Sequence, residues 1–169
     1  MSKKLLIVRH AKSDWGNARI TDFNRPINER GKTNAPMMGK RLKEKGILLD
    51  AVISSPALRA ITTTKLITHE LGFATAKIKQ EKLIYEASCS TLLKIVNDFD
   101  NEQEIVALFG HNNGITDLAV YLTDAEIFNI PTSGMVMINF AFDDWKMVGK
   151  NSGEVEFFDY PKNLENIKF

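Results

Sequence analysis

Cysteine is almost missing from this chain. Cys89 stands alone, which excludes an intrachain disulfide framework. A thiol-phosphatase loop built on it would need an Arg six positions on, and position 95 is Ile95. Long apolar runs are missing as well. Nothing approaches the roughly 18 consecutive apolar residues of a membrane helix, and the run from Leu5 to Val8, although preceded by Lys3 and Lys4, is shorter than the roughly 7 to 15 residues of a secretory core. Charge of one sign is not in excess either: 22 Lys plus Arg face 21 Asp plus Glu, leaving +1. No global field therefore draws in nucleic acid or an anionic membrane, and an anion must be recognised locally. These absences predict a cytoplasmic protein with neither nucleic acid nor membrane as a partner. Histidine is scarce too. His69 has no carboxylate or cysteine at ligand spacing, so the three histidines make no zinc set, and no metal or other cofactor is expected.

What remains is a chain of 169 residues, 44% hydrophobic, without repeats, linkers or a shift of composition. That length buries one good core, so residues 1–169 are expected to form a single domain. Short β-branched or apolar runs alternate with segments of helical period, the pattern of an α/β protein with a mainly parallel sheet. Strands are predicted at 4–8, 51–54, 78–83 and 105–109. Two late ones, at 135–142 and 154–158, are joined by a turn over 143–153. Helices are predicted from Asn28 to about Lys45, with Pro36 as a kink or an alternative start, from Pro56 to near Gly72, and over 91–99 and 115–123.

In open α/β sheets ligands gather beyond the carboxyl ends of the strands. Three such ends carry chemistry here: Arg9-His10-Ala11-Lys12-Ser13 after the first strand, Ser54-Ser55-Pro56 leading to Arg59 after the second, and Gly110-His111-Asn112 after the fourth. Two arginines and two histidines at one crevice form a cationic cup, and guanidinium forks match paired phosphoryl oxygens. A neutral imidazole offers one lone pair while its other nitrogen is held by a carbonyl or carboxylate. His10 is thus the candidate nucleophile, with Arg9, Arg59 and His111 as phosphate ligands. Glu86, in Tyr85-Glu86-Ala87-Ser88, is the candidate proton donor.

These residues resemble the histidine phosphatase superfamily, with its phosphoglycerate-mutase-like fold, and within it the SixA-like phosphohistidine phosphatases. The resemblance runs through Arg-His-Ala-Lys-Ser at 9–13, Arg25-Pro26-Ile27-Asn28-Glu29-Arg30-Gly31, Ser54-Ser55-Pro56 with Arg59 and Thr62-Thr63, the loop at 85–88, Gly110-His111-Asn112, and Pro131-Thr132-Ser133-Gly134. It implies a three-layer α/β/α sandwich, a metal-independent phosphatase, and the roles just given for Arg9, His10, Arg59, Glu86 and His111. The wider superfamily has Gly where this chain has Ala11, and its mutases have Glu at Lys12. Asn17 stands one residue later than the Asn that mutase-type members bring near phosphate, and is a candidate ligand together with Ser13, Arg25, Thr132 and Ser133.

Each residue also has a plainer reading. Arg59 can be a surface helix charge, His111 a loop histidine and Glu86 a solvated carboxylate. Arg25 and Arg30 can face solvent beside Asp22 and Glu29, and the Pro-Thr-Ser-Gly turn can be chain reversal alone. Trp15 can pack the pocket wall or cover a substrate face. The joint pattern favours phosphoryl chemistry on a phosphorylated substrate, with protein phosphohistidine as the favoured class. A phosphatase of small esters, a mutase-like phosphotransferase and a non-catalytic phosphate-binding module are the alternatives. Little spare length is left for the insertions with which mutases close over a small substrate.

Overall fold

The computed structural model describes residues 2–163. The first strand, β1 (Lys3–Arg9), buries Leu5, Leu6, Ile7 and Val8 completely. A strand apolar on both faces belongs at the centre of a covered sheet, and β1 lies between β4 (Ile105–Gly110), parallel to it, and β5 (Met135–Phe140), antiparallel. The six-stranded sheet has the order β3-β2-β4-β1-β5-β6, with β2 (Ala51–Ser54) and β3 (Lys79–Gln80) continuing the parallel part and β6 (Gly153–Asp159) pairing antiparallel to β5.

Helices α1 (Glu29–Glu44) and α2 (Leu58–Glu70) pack on one face, where Leu6 and Val8 meet Met38, Leu42, Ile67 and Phe109. Helices α3 (Cys89–Asn97) and α4 (Gly114–Thr123) cover the other, where Leu5 and Ile7 meet Leu92, Val96, Ile115 and Leu118. This is the α/β/α sandwich expected from the sequence, with a mainly parallel sheet. The alternation of β1 residues between two apolar layers follows from the two-residue period of a strand.

Local chemistry sets the boundaries. The Asn28 side chain accepts from the Gly31 N–H at 2.9 Å and starts α1, so Pro36 falls inside the helix and does not begin it. Gly46, at φ +75°, ends it in the left-handed region. The Ser88 hydroxyl caps α3 through the Thr91 N–H, which starts that helix at Cys89, two residues before the expected position. The strand expected at 78–83 shrinks to Lys79–Gln80, because the chain then coils into a 3-10 turn over Lys82–Ile84 that drops Ile84 into the core. The turn expected at 143–153 holds a 3-10 turn, Trp145–Met147. Its Trp145 is fully buried, donates its indole N–H to the Gln103 carbonyl at 2.7 Å and meets Phe99 edge-on.

The contact between α1 and α2 depends on a missing side chain. A Cβ added at Gly39 would lie 2.8 Å from the Ile67 carbonyl oxygen, which is backbone and cannot swing aside. Gly39→Val is therefore expected to destabilise the fold by about 1 to 3 kcal/mol through overpacking, read as a lower urea midpoint with an unchanged slope.

Candidate active site

The ends of β1, β2 and β4 lie side by side, and backbone hydrogen bonds carry the register into the loops. The His10 N–H donates to the Gly110 carbonyl at 3.2 Å, and the Ser55 N–H to that of Phe109 at 3.0 Å. From the opposite side the Arg9 N–H donates to Gly134 O at 3.0 Å, and Ser133 N–H to His10 O at 3.1 Å. Between these loops opens a cleft of about 220 Å³ lined by Arg9, His10, Lys12, Ser13, Trp15, Arg25, Arg59, His111, Asn112 and Thr132. Four of the ten are permanent cations, and none is a carboxylate.

His10 is only 8% exposed. Its Nδ1 lies 2.7 Å from the Ala11 carbonyl oxygen. A carbonyl only accepts, so Nδ1 carries the ring proton and Nε2 keeps the lone pair. The loop is pinned further by the Ala11 N–H, which donates to Thr63 Oγ1 at 2.8 Å from α2. Burial pushes the His10 pKa down to about 3, against the Ala11 hydrogen bond, and the neighbouring His111, Arg59 and Arg9 add to the fall. His111 is pushed down to about 4, chiefly by burial and then by Arg59. The two rings stand 5.3 Å apart, and both are neutral at pH 7. His111 Nε2 pairs with Ser55 Oγ at 2.7 Å.

The arginines are held from outside the cleft. Arg9 donates Nη1–H to the Ile130 carbonyl at 3.0 Å, and Arg59 donates to the Asp22 backbone oxygen at 2.6 Å and to its carboxylate at 3.1 Å. Arg25 donates to the same carboxylate at 2.7 Å and to the Ser13 hydroxyl, and stacks 3.6 Å above the Trp15 ring. Tyr85 donates its hydroxyl to Asp22 Oδ2 at 2.5 Å. These donors, Arg25 first and Tyr85 next, hold the Asp22 carboxyl well below the usual carboxylate range. In turn the Tyr85 hydroxyl is pushed up to about 12, mainly by its hydrogen bond to Asp22. Arg9 Nε, Arg59 Nε and His111 Nδ1 are buried without a hydrogen-bond partner. Such atoms are rare in folded proteins, and the two guanidinium Nε–H groups are donors left free for an acceptor.

The structure thus brings Arg9, His10, Arg59 and His111 together, and adds Ser13, Arg25 and Thr132 to the cleft lining. Three expected residues stand elsewhere. Asn17 is exposed, its side chain accepting from the Arg19 N–H at 3.0 Å in a local turn. Ser133 is buried behind the cleft, at φ 60°, where its backbone holds the His10 carbonyl. Glu86 is exposed, at φ 57°, outside the lining. Asp22 and Tyr85 were not foreseen in the site; the only sequence signal was the proximity of Asp22 to Arg25. Ser55 and Thr63 lay within quoted motifs but carried no role. Among the described residues no group of three or more His, Cys, Asp or Glu could hold a metal ion, and no helix is long and apolar enough to cross a membrane.

The family model of the histidine phosphatase superfamily (branch 1) matches residues 5–104, more than half of the chain. The chain belongs to that superfamily. Its solved structural neighbours agree in fold. The protein histidine phosphatase SixA, complexed with tungstate, superposes with a TM-score of 0.81 at 20% identity, covering 95% of this chain and 99% of that one. An uncharacterised protein of Mycobacterium leprae is 27% identical over 92% of this chain and 100% of its own length. A 2,3-bisphosphoglycerate-dependent phosphoglycerate mutase of Beijerinckia indica is 33% identical over 58% of this chain, but only 48% of the mutase is covered.

Two outcomes follow from the charges. Between pH 6.5 and about 4 an unfolded histidine is protonated while the folded His10 and His111 are not, so the unfolded state binds more protons and stability rises with pH. Acidifying from pH 6.5 to 4.5 should therefore lower the urea midpoint, and His10→Gln together with His111→Gln should flatten that slope. The Asp22 contribution is lost only below its ordinary value of 3.8. Second, Asp22→Ala removes the acceptor that orients Arg25 and Arg59. A fall in kcat/KM for p-nitrophenyl phosphate of about tenfold or more is expected in steady-state kinetics, the scale of one charge-assisted hydrogen bond.

Proposed function

We propose that the protein is a phosphohistidine phosphatase that works in the cytoplasm on phosphorylated proteins and passes the phosphoryl group through His10. The observation that carries this reading is the His10 ring, fixed by the Ala11 carbonyl with its free lone pair on Nε2 and set among Arg9, Arg59 and His111. In the first step Nε2 attacks phosphorus as the bond to the leaving group breaks. The equatorial oxygens are balanced by the guanidinium groups, whose positions are fixed before substrate arrives. Water then attacks the phosphorus of phospho-His10, returning the neutral ring and inorganic phosphate. Tungstate, a tetrahedral oxyanion, is bound by the SixA phosphatase whose fold is similar. On this reading the strand-end cleft here receives the phosphoryl group.

The choice of phosphohistidine over an alkyl phosphate is supported by the proton balance. An alkoxide leaving group needs a positioned acid, and the cleft lining contains no carboxylate. Glu86, the proton donor implied by the family resemblance, is exposed beyond the lining. An imidazole leaving group, with an ordinary pKa near 6.5, can take its proton from solvent. Glu86 is assigned here to the acid role only for the poorer, oxygen-linked substrates.

Rapid quench with a radiolabelled phosphohistidine peptide tests the reading. An acid-labile, base-stable phosphoprotein should form within the first turnover and be missing in His10→Ala, with kcat reduced on the order of 10³-fold or more. A phosphoprotein that persists in His10→Ala would overturn the nucleophile. Turnover of phosphoserine peptides above phosphohistidine peptides would overturn the substrate class.

A further inference from the structure

A second groove, of about 280 Å³, adjoins the cleft. Lys12 and Thr132 line both, so the two depressions run into one another. Beyond that shared rim the groove is lined by Arg30 and Asn34 from α1, by Pro131, and by Tyr160, Pro161 and Lys162 after β6. Lys12, Arg30 and Lys162 are exposed cations, and none of their side chains makes a hydrogen bond or ion pair among the described residues. Among the described residues no acidic side chain lines the groove.

The groove is built rather than incidental. Arg41 is buried within α1 and donates to the Asp159 carboxylate at 3.0 Å, to the Tyr160 carbonyl at 3.0 Å and to that of Pro161 at 3.1 Å. It therefore staples the chain that follows β6 against α1, and so holds Tyr160 and Lys162 opposite Arg30. On the other side the Asn28 N–H donates to Lys12 O at 2.8 Å. The approach is close: a Cβ on Gly31 would come within 2.6 Å of that oxygen. The Pro131–Thr132 turn is closed by Gly134 N–H to Pro131 O at 2.8 Å.

We infer that this groove is a subsite for an acidic stretch of the protein substrate, next to the phosphorylated residue that enters the cleft. The inference rests on the phosphoprotein reading above. Three unpartnered cations favour carboxylates and raise encounter rates with an acidic surface. The rings of Tyr160, Pro131 and Pro161 offer the apolar wall that a peptide backbone and side-chain stems require, which a small dianion alone would not use.

The test compares phosphohistidine and phosphoserine peptides, each with acidic or basic flanks, and p-nitrophenyl phosphate, on wild-type protein and on the Arg30→Glu, Lys162→Glu double variant. Wild-type KM should be about five- to tenfold lower for acidic than for basic flanks, as expected for two or three exposed ion pairs, with kcat little changed. Raising salt should shrink the difference. In the double variant the preference should vanish or invert, while p-nitrophenyl phosphate turnover stays within about twofold, which also reports that the variant is folded. The neutral variants Arg30→Gln and Lys162→Gln should each weaken the preference. Phosphohistidine peptides hydrolysed without regard to their flanks would overturn the subsite and leave the proposed function standing. An acidic preference seen only with phosphoserine peptides would keep the subsite and overturn the phosphohistidine reading. No turnover of either phosphopeptide would overturn both.

Discussion

The hydrogen bond between His10 Nδ1 and the Ala11 carbonyl is the constraint on which the rest of the site depends. It costs the chain little, since both groups belong to one loop, yet it decides which nitrogen bears the proton and which way the ring faces. A free imidazole would interconvert between tautomers; this one cannot without leaving a buried carbonyl unpaired. The surrounding positive charge acts in the same direction, because it disfavours protonation of the ring while attracting an oxyanion to it. The neutral ring and the positive charge around it are thus reinforced by a single arrangement of groups.

That arrangement is held by the sheet. Parallel strands β1, β2 and β4 deliver their carboxyl ends to one edge, and antiparallel β5 returns the Ser133–Gly134 backbone against Arg9 and His10 from the other side. Outside this frame stands a polar relay with Asp22 at its centre, touched by Arg25, Arg59 and Tyr85. The carboxylate lies behind the arginines and balances part of their charge without entering the cleft, so the guanidinium groups are oriented before an anion arrives.

The central strands and the four cleft residues were readable because they follow simple rules: an apolar strand, then a polar residue at its carboxyl end. Arg9, His10, Arg59 and His111 each occupy such a position or the helix turn just after it. Asp22 was not readable as a site residue, since residues 14–25 have no periodicity and their course is set by contacts with α2 and Tyr85, far away in sequence. Motif and spacing give no backbone direction, and Glu86 and Asn17 stand outside the cleft lining: Glu86 sits at φ 57°, and the Asn17 side chain is taken up by the Arg19 N–H. Trp145 shows the same limit in the core. Its burial comes from Gln103 and Phe99, and a turn-rich sequence around it masks this. The third strand came out shorter than expected for a related reason, as the claim of the core on Ile84 outweighed the β-propensity of the residues before it.

The brevity of β3 matters beyond its place in the sheet. Its two residues leave one margin of the ladder almost without free amide and carbonyl groups, while the opposite margin, β6, carries Glu154 and Glu156 and an irregular register opposite Met137 and Ile138. Neither border offers a long, flat, neutral template to a neighbouring chain. An edge-to-edge pairing of two copies through either border would therefore find few regular backbone partners.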